Sequence, residues 1–309
     1  MSFDVVPESR AITPIISEFS VYGDMKFHTD VTDPIVTFNK TSVVYRDGAW
    51  RYDGAQYWYP KHEHSFVAVS PSSALESGAS PQYSGTKLSF AYMMPTYSGK
   101  EMQDCQDKSD LADILAATHR RLYKEDDNSS AISLRFDHLL ALINFAPRLD
   151  DKTIKDDDYI QIHKLEISGL KKKATIAVTP AQRQENLQTD DRVIEFAGHE
   201  GNDNLTIIFS DSKVVNNQRT NLFANNDALI MLPQAFEASS EATVRFTYSF
   251  KEDPDNVRHG SISLAGQEWK TGTAYTYNFT VDKIGLNLET ATIKEWDSKD
   301  KPDISWTVE

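Results

Sequence analysis

The sequence predicts an all-β chain of sandwich architecture, and three observations carry that expectation. From Ala274 to Asp282 the residues alternate without a slip, Tyr275, Tyr277, Phe279 and Val281 on one face and Thr276, Asn278, Thr280 and Asp282 on the other. That period of two is what a strand with one buried face requires. Short β-rich runs punctuated by turn residues recur along the chain, the pattern of a β-sandwich. Asp-Gly pairs at 47–48 and 53–54 lie between such runs, and both central positions of a tight hairpin turn must tolerate positive φ. At 309 residues the chain is long for one core and comfortable for two, at roughly 150 residues per domain.

Taken in order, Ile15–Tyr22 reads as a first strand with Phe19 and Val21 on one face, and Ile35–Phe38 follows Pro34. Val43–Tyr45, Trp50–Tyr52 and Tyr57–Tyr59, separated by the two Asp-Gly turns, predict a three-strand meander. Phe66–Val69 and Leu88–Tyr92 add two strands. Asp110–Tyr123 fits two readings: a helix capped by Ser109 with Leu111, Ile114, Leu115 and Leu122 at helical spacing, or an extended segment. The polar run Glu125–Ser130 is the best linker, which divides the chain into residues 1–129 and 130–309.

Ile132–Phe145 then reads as one long strand that either closes the first unit or opens the second. Tyr159–Ile167 and Ala174–Val178 are expected to pair across Ser168-Gly169-Leu170, with Lys171-Lys172-Lys173 at a hairpin tip. Val193–Phe196, Leu205–Phe209, Ala228–Leu232, Thr243–Phe250 and Ile262–Leu264 follow as strands. The closing stretch Trp269–Trp296 adds a turn at Gly272 and further alternation at Ile284, Leu286 and Leu288.

Charge narrows the function classes. The 32 basic residues against 46 acidic give −14, which lacks the basic footprint of a nucleic-acid binder. A single cysteine, Cys105, leaves no intrachain disulfide framework. No run approaches the ~20 apolar residues that span a bilayer as a helix. The N-terminal residues Met1–Pro7 show neither a basic segment nor an apolar one of the secretory kind, which taken bare points to the cytosol.

The closing pattern Trp269-Lys270-Thr271-Gly272-Thr273-Ala274-Tyr275-Thr276-Tyr277, with Ile293-Lys294-Glu295-Trp296 after it, resembles that of the bacterial fimbrillin family, the type V pilins. Tyr57-Trp58-Tyr59-Pro60, Phe136-Asp137-His138-Leu139 and Met231-Leu232-Pro233-Gln234 fit the same family in the same order. The resemblance implies two transthyretin-like β-sandwich domains in tandem and a non-enzymatic pilus subunit or pilus-tip adhesin at the cell surface. It implies a lipoprotein precursor of the outer membrane, of which this sequence would be a trimmed or mature form, against the cytosolic reading of the bare N-terminus. Partners would be other pilin subunits, with a host or bacterial surface ligand at a tip. Assembly would proceed by strand exchange: proteolysis removes an N-terminal strand, and the opened groove accepts a neighbour's C-terminal strand. Arg10–Ala11 is the candidate cut, Arg10 being the first basic residue and lying between Pro7 and Pro14; a tail whose removal changes nothing is the alternative. Tyr275, Tyr277, Phe279 and Val281 are candidates for a strand core used in assembly, or for the core of their own sandwich.

Other constellations have plainer readings. Lys270-Thr271-Gly272 and Ser-x-x-Lys at Ser84, Ser168 and Ser298 lack the Ser-x-Asn partner of penicillin-binding chemistry. His62 and His64 could bridge zinc only with a third ligand that no spacing supplies, and His138 within an apolar run reads as a hydrogen-bonded core histidine. Asp150-Asp151 and Asp156-Asp157-Asp158 do not follow the EF-hand template. Trp50, Tyr57 and Trp58 could stack on a sugar, but rings on sandwich strands more often fill the core. No catalytic centre, cofactor or metal is expected; a monomeric carbohydrate-binding surface lipoprotein is the rival reading.

Overall fold

The computed structural model describes residues 2–4, 16–27, 34–54, 56, 59–84, 86–94, 101–103, 113–122, 131–150, 158–181, 192–223, 228–282, 285–289, 291–296 and 303–307. Its elements are strands and one short 3-10 turn at Ser72–Glu76. In the first half these are β1 (Ser2–Asp4), β2 (Glu18–Phe27), β3 (Ile35–Arg46), β4 (Ala49–Arg51), β5 (His62–Ser70), β6 (Gln82–Ser84), β7 (Lys87–Met93), β8 (Glu101–Gln103) and β9 (Leu115–Leu122). Next come β10 (Ala131–Arg135), β11 (Asp137–His138), β12 (Ala141–Leu149), β13 (Ile160–Leu170), β14 (Lys173–Pro180), β15 (Arg192–Glu200) and β16 (Asp203–Val215). The last are β17 (Leu229–Met231), β18 (Gln234–Ala235), β19 (Thr243–Phe250), β20 (Asp253–Ser263), β21 (Glu268–Trp269), β22 (Thr273–Val281), β23 (Leu286–Leu288), β24 (Thr292–Glu295) and β25 (Asp303–Thr307).

The first half is organised by a six-stranded antiparallel sheet in the order β11-β9-β5-β2-β3-β4. Both faces of its central strands β2 and β5 are buried, which is why β5 shows a continuous run of buried residues instead of alternation, while β3 toward the edge stays largely exposed. One face carries Phe19, Val21, Phe66 and Ala68 and packs with Ile132 and Leu134 of β10. The other carries Tyr22, Val67 and Val69 and joins a larger core that includes Phe90 of β7 and Ile176 of β14. Gly23 is required here: a Cβ would lie 2.7 Å from Cδ1 of Phe66.

The second half packs the sheet β17-β12-β22-β23, with β24 also on β22, against β20-β19-β13-β16-β8. β12 and β22 run parallel from Leu142↔Ala274 to Leu149↔Val281; a parallel pair needs a long crossover, and β13, β16, β19 and β20 of the second sheet lie between them in sequence. Phe145, Phe246, Tyr277 and Phe279 stack between the sheets with centroids 4.7–5.7 Å apart. A further sheet, β15-β14-β7-β6, joins strands from both halves.

Three local expectations are corrected, and one left open is settled. Of the two readings of Asp110–Tyr123 the extended one holds over Leu115–Leu122, a strand whose apolar residues complete a buried sheet between β5 and β11. Ile132–Phe145 is three strands, β10, β11 and the start of β12, each in a different sheet. β13 and β14 do not pair with each other: β13 lies between β16 and β19, and β14 between β7 and β15. Lys171 and Lys172 therefore cross between sheets and are not a hairpin tip. The meander stops at the β3–β4 hairpin, whose Asp47 and Gly48 adopt φ of 54° and 76° as a tight turn demands; Tyr59 is outside any strand, and Tyr57 and Trp58 lie outside the described residues.

Candidate assembly site

The two ends of the chain meet in a three-stranded antiparallel sheet of order β1-β25-β10. β25 pairs on one side with β10, from Ala131↔Thr307 to Arg135↔Asp303, and on the other with β1, from Ser2↔Thr307 to Asp4↔Ser305. β10 flanks β9, next to one end of the six-stranded sheet, and β1 flanks β4 at the other end. This small sheet thus faces the core formed by Phe19, Trp50, Phe66 and Phe136 together with Ile132 and Leu134, the last two buried at 1% and 0% exposure. The middle strand over the N-terminal core comes from the far C-terminus. Main-chain ladders of this kind recognise any strand of suitable side-chain alternation, which is the basis of β-augmentation.

The root of that strand is built at the junction between halves. The chain passes from β10 through Phe136 into β11, where His138 pairs across to Leu115 of β9. Nδ1 of His138 hydrogen-bonds the Asp113 carboxylate, and the imidazole lies flat on the Trp296 ring, centroids 3.9 Å apart and planes 4° from parallel. Burial pushes the Asp113 carboxyl up from the ordinary range, and the hydrogen bond and charge of His138 oppose that shift. Nε2 of His138 is buried with no hydrogen-bond partner among the described residues. The turn after β21 locks onto the same segment: Thr271 Oγ1 donates to Leu139 O at 2.8 Å, and Gly272 N donates to Leu140 O at 3.0 Å. Gly272 has φ 59°, and a Cβ there would meet His138 O at 3.2 Å. Trp296 N closes the turn on Gly272 O at 2.9 Å. From β15, Arg192 donates to the carbonyls of Ala116 and Arg135 at 2.7 Å and pairs with Asp137 at 2.5 Å.

The sequence-predicted residues fall in several places. Tyr275, Tyr277, Phe279 and Val281 lie on β22, each at 5% exposure or less, in the larger core that also holds Phe145 and Phe246. Arg10, Ala11 and Cys105 lie outside the described residues. His138 is a hydrogen-bonded core histidine. Trp50 is 1% exposed and packs on Phe19 and Tyr45, so it offers no face to a sugar. His64 is buried, while Glu63 beside it pairs with Arg120 at 2.7 Å and Lys26 at 3.6 Å. The Ser168 hydroxyl shares a 3.0 Å hydrogen bond with that of Thr243. Sequence reasoning missed β25, whose signal was the alternation Ile304-Ser305-Trp306-Thr307 after Pro302. It also missed Asp113 and Trp296 as partners of His138, which no spacing reveals.

Elsewhere, a cleft of about 690 Å³ opens at the β13–β14 crossing, lined by Ser168, Lys171, Asn202, Asn204, Gln234 and Glu237 among others. Among the described residues no cluster of His, Cys, Asp and Glu is set to hold a metal, and no helix is long and apolar enough to cross a membrane.

Solved structures similar to this chain include a protein assigned to cell adhesion from Bacteroides uniformis, 15% identical, 92% of each chain covered, TM-score 0.47. Another, assigned to cell adhesion, comes from Bacteroides ovatus: 16% identical, covering 96% of this chain and 95% of that one, TM-score 0.48. A fimbrial assembly protein from Parabacteroides distasonis is 10% identical over 95% of this chain and 98% of that one, TM-score 0.42. No curated protein matches. One family model, described as fimbrillin-like, matches residues 17–296, which is most of the chain and takes in every strand from β2 to β24. The chain belongs to the fimbrillin-like family.

Proposed function

We propose that this protein is a non-enzymatic pilus subunit or pilus-tip adhesin of the cell surface, carried there as an outer-membrane lipoprotein, that joins other pilin subunits by strand exchange. The observation that supports it most is β25, the strand from the C-terminus that lies between β1 and β10 over the N-terminal core. A strand supplied from so far along the chain can be supplied equally by a neighbour, because the ladder to β10 is the same in either case. On this reading the chain is two transthyretin-like sandwich units, residues 1–129 and 130–309, the second lending β10 and β25 to the first. Cleavage at Arg10–Ala11 removes β1 and leaves β25 held by one ladder instead of two. An unpaired strand edge is ordinarily a liability; here it becomes the joint.

Brief trypsin treatment, confirmed by a new Ala11 terminus, tests this. Filaments or larger oligomers by negative-stain microscopy and light scattering, absent in Arg10→Ala, are the expected result; a cleaved protein that stays monomeric would contradict Arg10 as the trigger. The absence of catalysis is checked with fluorophosphonate and β-lactam probes, which are expected to label no serine.

The rival is a monomeric surface lipoprotein that binds carbohydrate. The polar cleft at Ser168, Asn202, Asn204 and Gln234 favours it, since amides and hydroxyls are the groups that meet sugar hydroxyls. A glycan array separates the two: a stalk subunit shows no sugar dependence.

A further inference from the structure

β24 is weakly held, and the way it is held bears on when β25 can leave. All four residues of β24 are exposed, Ile293 at 61%. The strand keeps its place through a backbone ladder to β22, from Thr273↔Glu295 to Thr276↔Thr292, and a 2.9 Å hydrogen bond from Asn278 Nδ2 to Thr292 Oγ1. The large apolar contact at its end is Trp296, which packs against the main core and lies on His138. His138 in turn is fixed by Asp113 on one edge and by the β11–β9 ladder. Trp296 therefore joins a strand of the C-terminal sheet to a residue of the N-terminal sheet, at the last described position before the chain crosses to β25.

That position sets the reach of the C-terminal strand. Trp296 rests on His138, and Asp303 pairs with Arg135, three residues away on the same segment. With Trp296 seated, β25 can lie no more than about 25 Å of extended chain from it, and is presented to its own groove at high effective concentration. With Trp296 released, β24 is held on β22 by the ladder, the Asn278–Thr292 hydrogen bond and the small Ala291 side chain alone. Once β24 peels, the tether begins at Glu289, which Asn278 O, Arg148 and Arg219 hold, and extends to about 50 Å. A longer tether lowers the local concentration at the parent groove and brings a second molecule within range.

We propose that Trp296 stacked on His138, with the imidazole oriented by Asp113, is a clasp that keeps β25 on its own subunit and whose opening frees the C-terminal strand for a neighbour. The inference rests on the strand-exchange reading above. His138 and Asp113 are positioning residues in this scheme: they present the surface on which Trp296 lies and make no contact of their own with an incoming strand.

The test uses the full chain and a fluorescein-labelled synthetic peptide of residues Lys301–Glu309, with uptake followed by anisotropy. Trp296→Ala is expected to take up the peptide about tenfold faster than the unaltered chain, the order of effect that loss of an aromatic stack produces. Trp296→Phe, which keeps a ring on His138, is expected to return the rate toward the unaltered value. Asp113→Asn serves as a second route, expected to accelerate uptake with Trp296 intact. Ile304→Pro is the reference, because proline at a position paired with Leu134 removes a ladder donor and loosens β25 without touching the clasp. If Ile304→Pro takes up peptide while Trp296→Ala and Asp113→Asn match the unaltered chain, the clasp is overturned and the groove stands. If Ile304→Pro takes up none, the groove reading falls and the clasp with it.

Discussion

The indole N–H of Trp269 donates to the Tyr277 hydroxyl at 2.8 Å, both side chains at 1% exposure, across the turn that contains Gly272. The Tyr275 hydroxyl accepts from Lys270 N at 2.9 Å on the same side. Two tyrosines of one strand face thus tie down the turn that precedes them, and burial pushes the Tyr277 hydroxyl up to about 12. Tyr277→Phe leaves a buried indole donor without its partner and is expected to cost about 1–3 kcal/mol. Tyr277→Ala or Phe279→Ala should cost about 3–5 kcal/mol, and Thr276→Ala or Thr280→Ala far less. Denaturant melts showing equal costs on both faces would overturn the register of β22.

Gly23 admits no side chain without displacing Phe66, whose ring carbon would stand 2.7 Å from the new Cβ. Gly23→Ala is expected to destabilise by about 1–3 kcal/mol through overpacking. The double variant Gly23→Ala with Phe66→Leu should cost less than the sum of the two single changes, since the smaller side chain relieves the clash. Additive costs in thermal melts would show that Phe66 is not the obstacle.

Arg192 ties the start of β15 to β9, β10 and β11 through two carbonyls and Asp137, with its side chain 4% exposed. Removing one partner of a buried pair strands the other charge, so Arg192→Ala is expected to cost about 3–5 kcal/mol. A urea melt with a loss of a few tenths would mean that solvent screens the pair.

His64 supplies a pH dependence. Burial lowers its pKa to about 4, and the charges of His62 and His119 act in the same direction. The folded state therefore holds the imidazole neutral where the unfolded chain, titrating near ~6.5, takes up a proton. The unfolded state binds more protons between those values, so stability is full above about pH 6.5 and falls as pH drops toward 4, by about 3 kcal/mol at most from this group. Comparing the pH dependence of unfolding with that of His64→Leu checks this. The variant should lose less stability across that window; identical slopes would contradict the assignment.

The parts of the fold that were legible in the sequence are those where one buried face imposes alternation. The face Tyr275, Tyr277, Phe279 and Val281 was visible because the opposite face of β22 is half open. Asp47-Gly48 was visible because a two-residue turn restricts residue type. β9 was ambiguous because both of its own faces are covered over Leu115–His119, so its apolar residues follow no single period. The β13–β14 crossing was misjudged because a turn between sheets and a hairpin turn use the same residues. β25 was missed because its place depends on a strand about 170 residues earlier, which local pattern does not encode. The clasp of Asp113, His138 and Trp296 joins three distant segments, and only the composition of the third, an aromatic at the end of a polar strand, hinted at it.

Assembly by strand exchange requires that β25 of one chain occupy the groove of another. Ser133 and Ser305 are cross-strand partners, at a Cα separation of about 4.5–5.5 Å that a disulfide can bridge. With Cys105→Ser in every chain, a Ser133→Cys chain is mixed with a Ser305→Cys chain, trimmed briefly with trypsin, oxidised and run on a non-reducing gel. Covalent pairing between the two chains is the predicted result. A double variant that closes its own disulfide, while the mixture yields no pairing between chains, would show that β25 never leaves its subunit and would contradict assembly by strand exchange.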